Sequence, residues 1–446
     1  MHALTGKVTE VRKAGPAGGR GVVEVDPEQS RESKEGAVGS TRAEPRPGLL
    51  GESWRAWVVL SVGVLAVSAH SALSFGITPL MRSITEDLGW TRSQYATALN
   101  FRIFLLMLAA PVAGAVVDRF GARAVLTLGA LAMGVGAIVM ADAHTLGDLY
   151  RASVLIGPAQ ACIGSVAGSA LVLRRFQRHR GLAIGILNGG DNVLTSGVHY
   201  GAAALLAVVG WRGALGAMAG VYGVLALLFV FVLAKGDGRA GGEETSSPAT
   251  PFRIPWRDRR FYLIILCYAL IYAFITSVGL HFPAFQQDAG RSPTAAAAIY
   301  GTSTMVGALG SVVVGSFTER MAAARALLFV VAGLVITSLA LWIPMPDWGF
   351  WVWAVFYGVA NAGSVALLAL VLDEAFGSNG IGRLLGTAMV FCMGATILGN
   401  QLSAFVFDST GSYLPVWRLY SVLMVLALVP AALLARAGLR PRAGPV

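Results

Sequence analysis

Two charged side chains stand apart from all others in this chain of 446 residues. Every Lys and Arg except Arg102 falls in a polar tail, in a polar segment between long apolar runs, or at the edge of such a run. Every Asp and Glu except Asp191 does the same. Arg102 and Asp191 each lie near the middle of an apolar run. A guanidinium keeps its proton and presents a planar fork that matches a carboxylate, so Arg102 is a candidate for binding an organic anion. A carboxyl group withdrawn from water changes its hold on a proton with the charge beside it. Asp191 is therefore a candidate proton-coupling group, switched by an anion loading on Arg102. The alternatives are a structural Arg102–Asp191 pair, or an Arg102 that caps backbone carbonyls.

Other polar side chains sit in the apolar runs. Asn188, Asp191 and Asn192 fall at i, i+3 and i+4, which places them on one helical face. His70 and His281 add imidazoles that titrate near neutrality. Gln160, Tyr272, Asn361 and Gln401 complete the candidate substrate contacts, and His199, Tyr200, Tyr268 and Asn400 are further polar positions. Each has a plainer reading as a hydrogen bond between helices. No enzymatic site is expected. No glycine-rich loop ends in Lys-Ser or Lys-Thr, no nucleophile–base set has a usable spacing, and no cluster suggests a metal or another cofactor. Cys162, Cys267 and Cys392 all lie in apolar runs and read as small core residues.

These residues must be positioned by membrane-spanning elements. The chain is 55% hydrophobic and 13% charged, against roughly a quarter charged in soluble domains, and its mean hydropathy is +0.66. A crossing takes about 20 apolar residues. Twelve such runs are readable, at 57–80, 93–116, 124–141, 149–173, 182–208, 212–234, 261–284, 295–317, 326–344, 349–372, 383–406 and 415–437. In hydrocarbon the backbone must satisfy its own hydrogen bonds, so they are expected as helices of an all-α membrane protein.

The net charge of +10 does not mark a nucleic-acid binder, because the basic residues follow a membrane pattern. One side holds Arg119 and Arg123, the cluster Arg174, Arg175, Arg178 and Arg180, the cluster from Lys235 to Arg260, and Arg320, Arg325 and Arg383. The other holds only Arg82, Arg92, Arg151, Arg212, Arg291 and Arg418. The excess side is expected in the cytoplasm, and both termini with it. Residues 1–50 read as a disordered cytoplasmic tail with no cleavable signal peptide, and 439–446 as a second tail. Residues 235–260, rich in Gly, Ser, Thr, Pro and charge, read as a cytoplasmic linker between two six-helix bundles, 51–234 and 261–438.

Gly114, Asp118, Arg119, Gly121 and Arg123 form a charged tight turn between two apolar runs. A degraded copy returns about two hundred residues later as Gly315, Glu319, Arg320 and Arg325. One charged turn per half means a duplicated helical membrane protein. The pattern resembles the major facilitator superfamily of secondary transporters, along nearly the whole chain. The resemblance implies a midplane substrate site between the halves, cavity positions for the helices carrying His70 and His281, and a conformational latch at Gly114, Asp118, Arg119, Gly121, Arg123, Glu319 and Arg320.

A second set of residues is similar to the monocarboxylate and oxalate/formate branch: Arg175-Phe176-Gln177-Arg178-His179-Arg180-Gly181 leading into Gly185 and Gly189-Gly190, then Gly210-Trp211-Arg212, then Asp408-Ser409-Thr410-Gly411-Ser412-Tyr413. The entry to the first run, Glu52-Ser53-Trp54-Arg55-Ala56-Trp57, departs from that branch. So does the eighth run, where Thr302, Ser303 and Thr304 stand without the Asp and Arg of animal members. The expectation is a monomeric plasma (inner) membrane transporter of a small organic anion, coupled to protons or exchanging anions. The alternatives are efflux of an apolar metabolite or drug, and a membrane sensor that does not transport.

Overall fold

The computed structural model describes residues 54–120, 122–163, 176, 180–232, 254–377 and 381–437. The segments 1–50, 235–253 and 439–446, with Gly121, Arg174, Arg175 and Arg178, lie outside the described residues. The described chain forms twelve helices and no strand. They are α1 (Trp54–Gly76), α2 (Met81–Leu88), α3 (Arg92–Phe120), α4 (Ala122–Ala141), α5 (Leu146–Ile163), α6 (Arg180–Val232), α7 (Arg259–Asp288), α8 (Pro293–Arg320), α9 (Ala323–Ala340), α10 (Asp347–Phe376), α11 (Ile381–Thr410) and α12 (Leu414–Ala437).

The described part of each expected apolar run falls on one of these helices, residues 164–173 of the fourth run lying outside the described residues, with two departures in detail. The first run ends early, at Gly76, and the chain turns into the separate short helix α2. Gly89 closes α2 at φ 65, a left-handed conformation that costs glycine little. The fifth and sixth runs share α6, which breaks at Gly210 (φ 69, ψ 178) into two arms, 180–209 and 211–232. Trp211 and Arg212, just past the break, both donate to Asp87 of α2, at 3.1 and 2.7 Å. The break and the short helix therefore hold each other in place.

The helices α1–α6 make up the first half of the described chain and α7–α12 the second. In the first, α6 packs on α1 and α4, and α5 packs on α3 and α4. In the second, α7 packs on α11 and α12, α9 on α10 and α12, and α8 on α10. The halves meet through α6 with α8, α3 with α11, and α2 with α7. Close approach relies on small residues, because lipid offers helices no hydrophobic drive to associate. Gly358 of α10 lies so near the backbone of Ser303 in α8 that a Cβ there would collide. Gly301 of α8 faces the Ser196 carbonyl of α6, where a Cβ would stand 3.3 Å away.

Eight of the described helical segments are long and apolar enough to cross a bilayer. Large apolar side chains such as Val208, Phe231, Leu398 and Phe405 are exposed on the outside, as expected of a surface solvated by lipid. Cys267 and Cys392 are buried, Cys162 is half-buried, and all three are free thiols.

Candidate functional site

The polar face of α6 opens onto a cavity of ≈ 510 Å³ between the halves. Phe75 of α1 and Asn188, Asp191, Asn192 and Thr195 of α6 line one wall. Tyr272 and Thr276 of α7, Tyr300, Ser303 and Thr304 of α8, and Asn361 of α10 line the other. Among the described lining residues Asp191 carries the one charge. The helical repeat brings Asn188, Asp191, Asn192 and Thr195 to one face. Gly190, beside them, lets α1 approach, since a Cβ there would meet Val64 at 2.6 Å.

Asp191 is held from two helices. Ser71 of α1 donates to Oδ2 at 3.2 Å, and Thr195 donates to Oδ1 at 3.2 Å from one turn further along α6. A carboxylate accepts both bonds. It makes no ion pair within the described residues, so among them the group is held by hydrogen bonds alone.

Arg102 does not lie in this wall. It is 6% exposed, within the first half, and its Nε is buried without a hydrogen-bond partner among the described residues. Its backbone carbonyl lies against Gly157 of α5, and its charge acts on the phenols of Tyr95 and Tyr222. The Arg102–Asp191 pair is absent among the described contacts. Instead both charges act on His70, which lies within electrostatic reach of each.

His70 and Gln160 lock α1 to α5. The His70 ring Nδ1 and the Gln160 carbonyl are 3.0 Å apart, so that nitrogen must carry the proton; Gln160 Nε2 donates to the His70 carbonyl at 3.1 Å and to Ser74 Oγ at 2.6 Å. His281 is fully buried at the α7–α11 contact. Its Nε2 must donate to the Asn400 carbonyl at 3.1 Å, which leaves Nδ1 of the neutral ring to accept from the Tyr413 hydroxyl at 3.0 Å. Gln401 belongs to the seam of α3 and α11, accepting from Thr97 at 2.9 Å. Of the expected substrate contacts, then, Asn188, Tyr272 and Asn361 share the cavity with Asp191. Arg102, His70, Gln160, His281 and Gln401 lie outside its lining.

The seam also holds a polar lock that sequence reasoning missed. Arg92, at the start of α3, makes a two-pronged ion pair with Asp288 at the end of α7, at 2.7 and 2.8 Å. Its guanidinium stacks over Phe407 at 3.7 Å. Asp408 of α11 accepts from the backbone amides of Arg92 and Ser93, at 3.0 and 2.8 Å, where a carboxylate complements the helix N-terminus. Arg82 of α2 reaches the Gln287 carbonyl of α7 at 2.6 Å. In the sequence these are ordinary charges at run edges. Only tertiary structure pairs residues so far apart, although the Asp408–Tyr413 segment was already singled out.

The expected latch lies at the opposite ends of α3 and α8. Gly114, Asp118 and Arg119 fall on the last turns of α3, Arg123 on the first turn of α4, and Glu319 and Arg320 at the end of α8. Arg119 is exposed, with its guanidinium 5.4 Å from the Phe120 ring.

Outside the apolar segments two carboxylates are held below their usual range. Hydrogen bonds from Arg212 and Trp211 lower Asp87. The Thr145 hydroxyl and the amides of Thr145 and His144 pull Asp148 down to about 2.

Comparison with known proteins agrees with this architecture. The family model described as Major Facilitator Superfamily matches residues 63–400, well over half of the chain. Monocarboxylate transporter 11 of Homo sapiens is 29% identical over 394 residues, covering 84% of this chain and 81% of that protein. The nitrite extrusion protein of Bacillus subtilis (strain 168) is 24% identical over 369 residues, covering 80% and 89%. Among solved structures, a bacterial homologue of the human lysosomal transporter Spinster, inward-facing and unoccupied, superposes with a TM-score of 0.72 at 16% identity, covering 89% of this chain and 100% of that one. The nucleoside transporter NupG (D323A mutant) gives 0.71 at 12% identity, covering 85% and 99%.

Proposed function

The chain belongs to the major facilitator superfamily, a multi-pass membrane transporter family, and from that premise we propose that it moves a small monocarboxylate-like anion by alternating access. The transport is proton-coupled or exchanges anions, and the membrane is the plasma (inner) membrane. The observation that carries the proposal is Asp191: the one charged side chain on the described lining of the cavity between the halves, hydrogen-bonded from two helices.

Coupling follows from charge. A carboxylate cargo and a bare Asp191 carboxylate repel one another in a site of low dielectric. Once Asp191 takes a proton, the polar groups on the described walls are hydroxyl, amide, phenol and neutral carboxyl, all of which can donate to the cargo. Anion and proton therefore load together and leave together. Arg102 acts in this scheme through its field in the first half, with His70 within electrostatic reach of both charges, and does not touch the cargo. The segments around Asp118 and Arg119, and around Glu319 and Arg320, latch the halves in the opposite conformation.

A second reading is favoured by the same wall. With an acid and no cation on its described lining, the cavity also suits efflux of an apolar or cationic compound in exchange for a proton. Thermal stabilisation of the purified protein separates the two, since a ligand that binds only the folded state must raise its stability. The panel consists of mono- and dicarboxylates beside hydrophobic cations, at two pH values. The proposal expects a shift with a monocarboxylate that grows as pH falls. A shift confined to the cations overturns it.

A further inference from the structure

His199 is fully buried, and neither ring nitrogen has a hydrogen-bond partner among the described residues. Buried polar groups are nearly always bonded, so an imidazole with both nitrogens unmet calls for an explanation. Its position supplies one. The ring stands edge-on to Tyr300 of α8, with centroids 4.9 Å apart, and tilts against Phe75 of α1 at 5.8 Å. Phe75 and Tyr300 both line the cavity, so His199 sits directly behind the wall. The next residue, Tyr200, bridges the halves through its hydroxyl, at 3.2 Å from the Ala298 carbonyl and 2.9 Å from the Thr302 hydroxyl.

His199 also continues the polar face of α6. Asp191, Thr195 and His199 recur every four residues, so they rise along one side of the helix in steps of roughly 6 Å. Thr195 is buried and already donates to Asp191. The row runs from the cavity toward the end of the molecule closed by Arg92, Asp288 and Asp408. The titratable neighbour from α8 is Tyr300, α1 contributes only Phe75, and on its own helix the nearest titratable groups are Tyr200 and, two turns away, Asp191.

We propose that His199 is the proton-loading residue for Asp191. When the α6–α8 seam parts at the Arg92 end, a ring nitrogen meets water and takes a proton. As the seam closes, that proton passes along the row by way of the Thr195 hydroxyl to the Asp191 carboxylate. The imidazole is left neutral and sealed, with neither nitrogen bonded, as in this structure. One proton leaves the aqueous phase, one proton arrives on Asp191, and no other bond changes. This rests on the reading of Asp191 as the proton-coupling group.

The test has two arms in proteoliposomes. The first needs no cargo: diethyl pyrocarbonate modification of His199, read by peptide mass spectrometry. With the lock intact His199 should react slowly. Arg92→Ala combined with Asp288→Ala should raise the modification about tenfold, and no rise overturns the proposal. The second arm compares lactate uptake driven by an imposed pH gradient with lactate exchange at equal pH. His199→Phe keeps the ring contacts with Tyr300 and Phe75 and removes the unmet nitrogens. It should leave the melting temperature equal or higher and exchange intact, yet cut gradient-driven uptake at least tenfold. Uptake equal to that of the native protein overturns the proposal, as does a fall in exchange together with the melting temperature, which marks a packing residue. If the native protein does not move lactate, the cargo assignment has failed and the modification arm alone decides.

Discussion

His281 and Asp191 are two titratable residues that look alike in the sequence, each set within an apolar run, yet the structure gives them different surroundings. His281 has both nitrogens engaged, by Asn400 and by Tyr413, so it joins α7 to α11 and to the entry of α12. Replacing it with Phe strands the Asn400 carbonyl and the Tyr413 hydroxyl, and should cost about 2 kcal/mol or more of stability. In thermal melts His281→Phe should unfold at lower temperature while keeping the cargo preference of the native protein; a changed preference would return His281 to the site. The polar face of α6 was legible because three polar residues at i, i+3 and i+4 can only share a side. The isolation of Arg102 was equally legible, but its surroundings were not. Which way a side chain points depends on neighbours from α1, α5 and α6, and no spacing within α3 encodes them. Thr195 and Ser71, the partners of Asp191, were missed for the same reason, since single hydroxyls in apolar runs are common and carry no signal.

At the scale of elements, the helices were readable because a bilayer permits few alternatives to them. The two departures come from short-range chemistry that hydropathy does not register: a turn after Gly76 that starts α2, and the break at Gly210. Outer ends are held by local carboxylates. Asp148 accepts from the His144 amide and from the Thr145 amide and hydroxyl, at 3.1, 2.8 and 2.8 Å, and so fixes the turn that enters α5. Folding favours the ionised form, whose value falls from 3.8 to about 2. The stabilisation is therefore present above the unfolded value and is lost as pH drops from near 4 toward 2. Melting temperature followed from pH 5 to pH 2.5 should fall less steeply in Asp148→Asn than in the native chain. Equal slopes would show that the turn contributes nothing to acid sensitivity.

For the whole molecule, the two charged turns and the polar stretch after residue 234 are what suggest a duplication in the sequence; the conformation leaves no mark there. The described contacts between halves gather at the end of Arg92, Asp288 and Asp408, along α3–α11 and α6–α8, and the cavity lies between the halves beyond that seam. A transporter that alternates must open this seam once per cycle. Thr97 and Gln401 face each other across it, 2.9 Å apart at their polar atoms. Thr97→Cys with Gln401→Cys should form a disulfide under oxidant that stops transport, and reductant should restore it. Undiminished transport by the cross-linked protein would rule out movement along α3–α11.

The central claim is that Asp191 couples a proton to the cargo, and one comparison tests it most directly. Native protein and Asp191→Asn are reconstituted into liposomes, and radiolabelled lactate is followed under a pH gradient and under equal-pH exchange. The amide keeps the size of Asp191, and it can accept from one of the Ser71 and Thr195 hydroxyls and donate to the other, but it holds no transferable proton. The account predicts that the native protein accumulates lactate down the proton gradient, while Asp191→Asn exchanges lactate but no longer accumulates it. Accumulation by Asp191→Asn at the native level would contradict the account.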